Sequence, residues 1–208
     1  IVGIAEKPHN YTPVLVDIDL KVKEEKSMIH GDHLYTESQL KNIVCIYQEV
    51  LRDILDDFEE KQLTCALLEK PIYYISSGET RYIKNGFHLH FPYIFLSKID
   101  QSIHLIPRVK QKVKDKNVFI DLGIEDSSSV IDSCVGTVPW LLYGSRKNED
   151  SEPYLLTKIY NHKLDEITKQ EAFKDYKIFD DEEDIVNIND DIDFYIPRIF
   201  SIIPYGRD

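Results

Sequence analysis

Two carboxylates stand close together near the start of the chain, in the segment PVLVDIDL (13–20). Asp17 and Asp19 alternate there with apolar residues, so a strand would place both acids on one face and the apolar side chains on the other. Carboxylates this close repel each other unless a cation lies between them, and their oxygens are the ligands that Mg²⁺ and Mn²⁺ prefer. The alternative is a solvated strand face that carries two acids. The apolar flanks favour a metal site.

A third acid, Asp121, lies in another apolar segment, VFIDLGI (118–124), for which we also predict a strand. A single Asp in a strand is often only a hydrogen-bonding or strand-end residue. Two apolar strands that each present acid instead suggest one metal site with three carboxylates, formed by Asp17, Asp19 and Asp121.

The segment KNGFHLHFP (84–92) could contact phosphate. His88 and His90 would share one face of a strand over 86–91. Lys84 and His88 suit a triphosphate, since the Lys supplies a point charge and the His a hydrogen-bond donor. We predict that His90 is instead a structural, partly buried histidine.

A second segment that suits phosphate is YGSRK (143–147). Ser145, Arg146 and Lys147 offer a hydroxyl, a guanidinium and an ammonium group in succession. Exposed basic pairs are common on protein surfaces. This segment therefore indicates a phosphate site only in combination with the segments 13–20, 84–92 and 118–124.

The elements that must position these residues combine strands with two helices. Thr36 and Gln39 form the pattern of a capping box before a helix with apolar positions from 40 to 58. A second helix is predicted over 98–116. Strands are predicted over 13–20, 62–68, 86–91, 118–124, 140–143 and 154–160. The pattern predicts an α/β (α+β) fold: a small mixed sheet with helices on its outer faces, and a cleft on the sheet where Asp17, His88 and Asp121 converge.

Composition is that of a globular protein. The chain has 208 residues, of which 42% are hydrophobic, and no apolar run is long enough to cross a bilayer. The three cysteines are far apart, which fits a reducing, intracellular compartment and excludes zinc-ligand spacing. The single methionine is Met28, so we expect the chain to be part of a longer protein.

Charge is unevenly distributed. The formal net charge is −12, and most of it lies between 149 and 194. That acidic segment would repel phosphate, so we expect it to face away from any nucleic acid.

The order of these motifs resembles the archaeo-eukaryotic primase superfamily: DID, then K-x-G-x-H-L-x-F-P, then an acid in an apolar strand, then S-x-K. The set is also similar to the primase–polymerases of eukaryotes. More narrowly, it resembles the primase part of the primase–helicases of nucleocytoplasmic large DNA viruses. The motifs cover 14–147, and PRIFSI (197–202) resembles the close of the viral primase module.

The resemblance implies an RRM-like catalytic core over 1–148 and an acidic C-terminal extension over 149–208 that packs back on it. It implies template-directed synthesis of primers from nucleoside triphosphates by two-metal nucleotidyl transfer. The metal ligands, for Mg²⁺ or Mn²⁺, would be Asp17, Asp19 and Asp121. The nucleotide contacts would be Lys84, Gly86, His88, Ser145, Arg146 and Lys147, with Gly86 standing where relatives often have Ser.

The resemblance also implies partners: a single-stranded DNA template, and a helicase domain C-terminal to this chain in the same polypeptide. The compartment would be the host cytoplasm, where such viruses replicate. We expect the template to use lysines of the run 108–114, although such a run is more often an ordinary solvated helix face.

Two other functions remain open from the residues alone. A metal-dependent glycosyltransferase also uses an Asp-x-Asp pair to hold Mn²⁺ against a nucleotide sugar, although the block 84–92 argues against it. A catalytically inactive nucleic-acid-binding module is the other alternative, and the intact set of Asp17, Asp19, Asp121 and His88 argues against that.

Overall fold

A five-stranded sheet forms the centre of the chain. The computed structural model describes residues 2–180, 182 and 184–203. The strands are β1 (Ala5–Glu6), β2 (Tyr11–Lys23), β3 (Cys65–Glu69), β4 (Tyr73–Ser77), β5 (Thr80–Ser97), β6 (Trp140–Leu141), β7 (Leu155–Tyr160), β8 (Ile178–Phe179) and β9 (Ile185–Val186). The helices are α1 (Glu37–Ile54), α2 (Lys98–Asp100), α3 (Ile106–Asp115), α4 (Lys169–Phe173) and α5 (Ile192–Ile199).

The long strand β5 organises the sheet. Its 18 residues pair with β2 on one side and with both β4 and β3 on the other, and β7 completes the order β2-β5-β3-β7. The expected α+β class is confirmed. The strand pairs within this sheet are antiparallel, where the sequence suggested a mixed sheet. No helix among the described residues is long and apolar enough to cross a membrane.

One face of the sheet is covered by α1 and α3. The predicted capping box is confirmed, since the Thr36 hydroxyl accepts from the Gln39 backbone and the Gln39 side chain accepts from the Thr36 N–H. The apolar stripe of α1 and the valines of α3 join the alternate strand residues in the largest buried cluster, which includes Ile18, Phe87 and Val109. Because side chains alternate along a strand, burying Ile18 turns Asp17 and Asp19 to the opposite face.

The opposite face is covered in part by the C-terminal region. Phe173, Ile196 and Phe200 pack with Leu68 and other sheet residues in a second buried cluster. Strand β7 pairs with β3, so the segment 149–208 contributes a strand to the central sheet as well as this covering layer. Positions 204–208 of that segment lie outside the described residues.

The expected helix over 98–116 is present as α2 and α3, joined through one π-helical turn at Gln101–Leu105. The expected strand over 62–68 begins later, as β3, and follows a 3₁₀ turn at Glu60–Leu63. The expected strand over 140–143 is the short β6, which pairs with β1.

The expected strand over 118–124 is wrong. The chain forms a 3₁₀ turn at Ile120–Leu122 and then reverses at Gly123, whose φ is +73°. Val118 and Phe119 are buried without strand pairing, since Phe119 packs into the cluster beneath α1 and the Val118 carbonyl accepts from Gln39 Nε2 at 3.2 Å, whereas Ile120 is exposed. An apolar run shows that a segment is buried, and it does not show which partner buries it.

Candidate functional site

The pairing of β2 with β5 brings the first two motifs together. Asp17 lies opposite His88, and Asp19 lies opposite Gly86. Lys21 lies opposite Lys84. All six positions have the same parity along their strands, so they form one row on the face that α1 and α3 leave free. Segments about 70 positions apart in sequence therefore build one polar surface.

Asp17 and His88 form the centre of this surface. The distance from His88 Nε2 to Asp17 Oδ1 is 3.4 Å, a charge contact if the imidazole is protonated. Within the described part of the chain, Asp17 Oδ1 is buried and has no hydrogen-bond partner. The Asp17 side chain as a whole is 23% exposed. A buried carboxylate oxygen without a partner is costly, and a donor or cation bound from the open side would satisfy it.

Aromatic rings hold the His88 imidazole in place. Tyr154, immediately before β7, stacks on it with ring centroids 3.6 Å apart. Trp140 of β6 lies at 4.5 Å, tilted by 41°. These rings restrict rotation of the imidazole, so Nε2 keeps its position beside Asp17.

Lysines surround the acids. Lys84 Nζ lies 4.0 Å from Asp19 Oδ2, and Lys70 Nζ lies 4.3 Å from the centre of the Tyr154 ring. Burial lowers the pKa of Lys70. The charges of Lys84 and Lys147 lower it further, whereas the charges of Asp19 and Asp17 oppose the shift. The ammonium groups of Lys70, Lys84 and Lys147 are therefore close enough to repel one another. Their combined positive potential suits a polyanionic ligand.

These cations also act on Asp17. Burial raises the pKa of the Asp17 carboxyl, but His88, Lys70 and Lys84 together lower it more, so the net shift is downward. Asp17 is therefore ionised at neutral pH. The repulsion expected between two bare carboxylates is partly compensated by the chain's own positive charges.

Sequence analysis did not single out Lys70. The residue directly follows β3 and precedes Pro71, so its position at a strand end was the available signal. Its proximity to Asp17 depends on the pairing of β3 with β5, which places the end of β3 beside the row of acids.

The three residues 145–147 lie in different surroundings. Ser145 is buried, and its Oγ accepts a hydrogen bond from the Ile4 N–H at 3.1 Å. The Arg146 carbonyl accepts from the Gly3 N–H, and its guanidinium lies 3.9 Å from Glu152. Lys147 is exposed and close enough to Lys70 to affect its pKa. Ser145 and His88 line the same small pocket.

His90 is buried as predicted, with 2% of its surface exposed. Burial, with a further contribution from His88, lowers the pKa of His90 to about 3, so the ring is neutral at physiological pH. Its ring lies 5.1 Å from that of Phe200, which belongs to the covering C-terminal layer. A neutral ring in this position packs against the C-terminal layer rather than facing the open site.

Asp121 lies exposed on the 3₁₀ turn described above, so the strand that related it to Asp17 does not exist. Among the described residues, no three His, Cys, Asp or Glu side chains are grouped to hold a metal ion, and the expected cluster is not preassembled. Asp121 therefore has no strand that would direct its carboxylate toward Asp17, and its ligand role stays a prediction.

Asp132 adjoins the first motif instead. Its backbone N–H donates to the Asp17 carbonyl at 3.0 Å, and Ile131 pairs with Ile18 across the free edge of β2. The Asp132 carboxylate accepts from the Cys134 N–H at 2.8 Å. The sequence contained the signal, since residues 130–132 repeat the apolar-apolar-Asp pattern of residues 119–121.

The absence of a side chain at Gly86 has a physical cause. A Cβ at this position would lie 2.1 Å from the backbone carbonyl oxygen of Ile18. A backbone atom in a paired strand does not move aside, so Gly86→Ser should reduce the free energy of unfolding by about 3 kcal/mol. Urea denaturation measures this change. A loss below about 1 kcal/mol would mean that β2 and β5 separate locally at low cost.

The basic run 108–114 lies on the far side of the sheet. Helix α3 carries it, and Val109 and Val113 pack in the cluster with α1. Lys112 pairs with Glu49 and Asp53. The sheet separates these lysines from Asp17, so the expected template contacts are poorly placed for the site.

Comparison with known proteins gives a family match and three viral relatives. The family model described as "C962R protein N-terminal AEP domain" matches residues 2–160. "Putative helicase 121R" of Invertebrate iridescent virus 3 is 35% identical over 97% of this chain and 22% of its own length. "Putative helicase 184R" of Invertebrate iridescent virus 6 is 35% identical over the same shares.

The third relative comes from another virus. "Putative helicase L207/L206" of Acanthamoeba polyphaga mimivirus is 30% identical over 76% of this chain and 16% of its own length. The chain thus spans about a fifth of the length of the iridescent-virus relatives it matches.

Proposed function

This chain belongs to the archaeo-eukaryotic primase (AEP) domains of viral primase–helicases, and from that premise we propose that it synthesises primers from nucleoside triphosphates on a single-stranded DNA template. One observation of the site supports this most directly. The buried Oδ1 of Asp17, which has no hydrogen-bond partner in the described part of the chain, lies beside His88 and within a field of lysines, so one surface offers an acceptor for cations and donors for phosphate.

The carboxylates fit divalent cations. Asp17 and Asp19 project from one strand face, and the Asp132 backbone is bonded to that of Asp17, so we propose that a bound cation draws these three carboxylates together, in place of a set that includes Asp121. The three are not grouped in advance among the described residues. Ionised carboxylates only accept, which suits Mg²⁺ or Mn²⁺. When bound, two such ions neutralise the triphosphate and the leaving pyrophosphate and lower the pKa of the attacking 3′-hydroxyl.

The triphosphate contacts follow from the donors on the same face. His88 Nε2 would donate to a phosphate oxygen, held in orientation by Tyr154 and Trp140. Lys84 and Lys70 would add positive charge beside it. Catalysis of phosphoryl transfer relies on such positioning and charge, and the chain needs no nucleophile of its own.

The late motif contributes unequally to this proposal. The Ser145 oxygen already accepts from the Ile4 N–H, which leaves its hydroxyl proton free to donate to phosphate. Lys147 is exposed and near Lys70, so it extends the phosphate site. Arg146 faces Glu152, and Gly86 offers only its backbone, so a phosphate contact is less well supported for these two residues.

Primer synthesis on single-stranded DNA tests this function. The chain, supplied with ribonucleoside or deoxyribonucleoside triphosphates in Mg²⁺ or Mn²⁺, should convert labelled nucleotide into template-dependent oligonucleotides. Omission of the template or of both metals should stop the reaction.

Two results would contradict the proposal. Tight DNA binding without synthesis under every combination would identify an inactive nucleic-acid module. Turnover of a UDP-sugar would identify a glycosyltransferase.

The helicase names of the relatives support a further proposal, that a helicase domain follows this domain in a longer protein.

A further inference from the structure

The sheet face that carries Asp17 and Asp19 continues beyond Asp19 with several lysines and tyrosines. The next row along the sheet contains Lys21, Lys84 and Tyr73, which lie opposite one another on β2, β5 and β4. The row after that contains Lys23 and Tyr82. These five residues, which we call the lysine–tyrosine platform, share the strand parity of Asp17 and Asp19 and so face the same way.

Contacts within the platform and with the adjacent Lys70 bring cations and rings together. Lys21 Nζ lies 4.2 Å from the centre of the Tyr82 ring, and Lys70 Nζ lies 5.2 Å from that of Tyr73. Lys21, Lys23 and Tyr73 are exposed. Tyr82 and Lys84 are partly exposed, so the platform offers a ligand both ring surface and positive charge.

Few acids oppose this positive charge. No ion pair of Lys21 or Lys23 occurs among residues 2–180, 182 and 184–203. Glu24, in the 3₁₀ turn that follows β2, pairs with Arg81 at 3.3 Å, and Arg81 has the strand parity of the buried Ile83, so this pair lies toward the other face. Glu79 lies at the turn between β4 and β5. In a chain with a net charge of −12, this accumulation of cations is local.

We propose that the lysine–tyrosine platform binds the single-stranded DNA template, with bases stacked on Tyr82 and Tyr73 and phosphates beside Lys21 and Lys23. Exposed rings accept unpaired bases, which a duplex does not offer, and lysines track the backbone. The six steps along β2 from Asp17 to Lys23 span about 20 Å, so a DNA strand on the platform leads directly to the acids. The identity of the ligand rests on the proposed primase function, whereas the location of the site rests on the geometry.

Fluorescence anisotropy of a labelled single-stranded oligodeoxynucleotide, titrated with the chain at rising salt, tests the platform. The double variant Lys21→Gln with Lys23→Gln should weaken binding about tenfold at low salt. The slope of log affinity against log salt concentration should also fall by the amount expected for about two lost phosphate contacts. Tyr82→Leu should weaken binding by a similar factor without changing the salt dependence, because it removes a stacking surface. The matched control is Lys110→Gln with Lys114→Gln on α3, which removes the same charge behind the sheet and should leave binding unchanged.

Several outcomes would overturn the platform. Equal losses of DNA affinity in the platform double variant and in the α3 double variant would show that DNA binding depends only on the total charge of the chain. Tyr82→Leu without effect, combined with equally tight binding of polyglutamate, would show a general polyanion surface. Wild-type chain that does not bind the oligonucleotide at low salt would exclude the site. If the platform variants lose DNA binding but the wild type makes no primers, the platform stands and the proposed function fails.

Discussion

Asp17→Asn should reduce primer synthesis by about a thousandfold or more, and Asp132→Asn should do the same. Both substitutions keep the shape of the side chain but remove the charge that the proposed divalent cations need. Neighbouring cations lower the pKa of Asp17, so its ionised form contributes stability above its unfolded pKa that is lost as the pH falls through the folded value. Asp17→Asn should therefore cost a little stability at neutral pH, and the chain should remain folded.

The matched control for these variants is Asp121→Asn. Asp121 is exposed on the 3₁₀ turn, so its amide variant should synthesise primers at close to the wild-type rate. Measuring primer yield and thermal unfolding for all three variants separates activity from folding. If Asp121→Asn is inactive and Asp132→Asn is active, the third metal ligand is Asp121, as the sequence first predicted, and not Asp132.

His88→Ala should lower kcat/KM for nucleotide incorporation by about a hundredfold or more. The imidazole contacts Asp17 and is the one histidine of the pair that faces the open side of the sheet, so its loss removes a positioned phosphate donor. The effect should be larger on steps that involve the triphosphate than on DNA binding. Steady-state kinetics at varied nucleotide concentration, with DNA affinity measured in parallel, checks this.

His90→Ala provides the comparison two residues away. Its ring is buried against Phe200, so truncation should leave a cavity and cost about 2–3 kcal/mol of stability while activity per folded molecule stays near the wild-type value. Equal kinetic losses from both variants would mean that His90 also acts in the site.

Local patterns in the sequence determined several features correctly. The alternation in residues 13–20 predicted that Asp17 and Asp19 share a face, because a strand repeats every two residues. The Thr36 and Gln39 pattern predicted the start of α1, because capping involves groups within one turn. A structural, partly buried His90 was also predicted, and the residue is 2% exposed.

Tertiary structure decided which residues meet. The register of β2 on β5 placed His88 opposite Asp17, and the pairing of β3 brought Lys70 to the acids. The apolar-apolar-Asp pattern recurs after 15–17 at 54–56, 119–121, 130–132 and 178–180, and only packing against β2 distinguished Asp132 from Asp121 and the others. The physical reason is that periodicity reports which side of a segment is buried, whereas the free energy of apolar burial is non-directional and does not specify the partner.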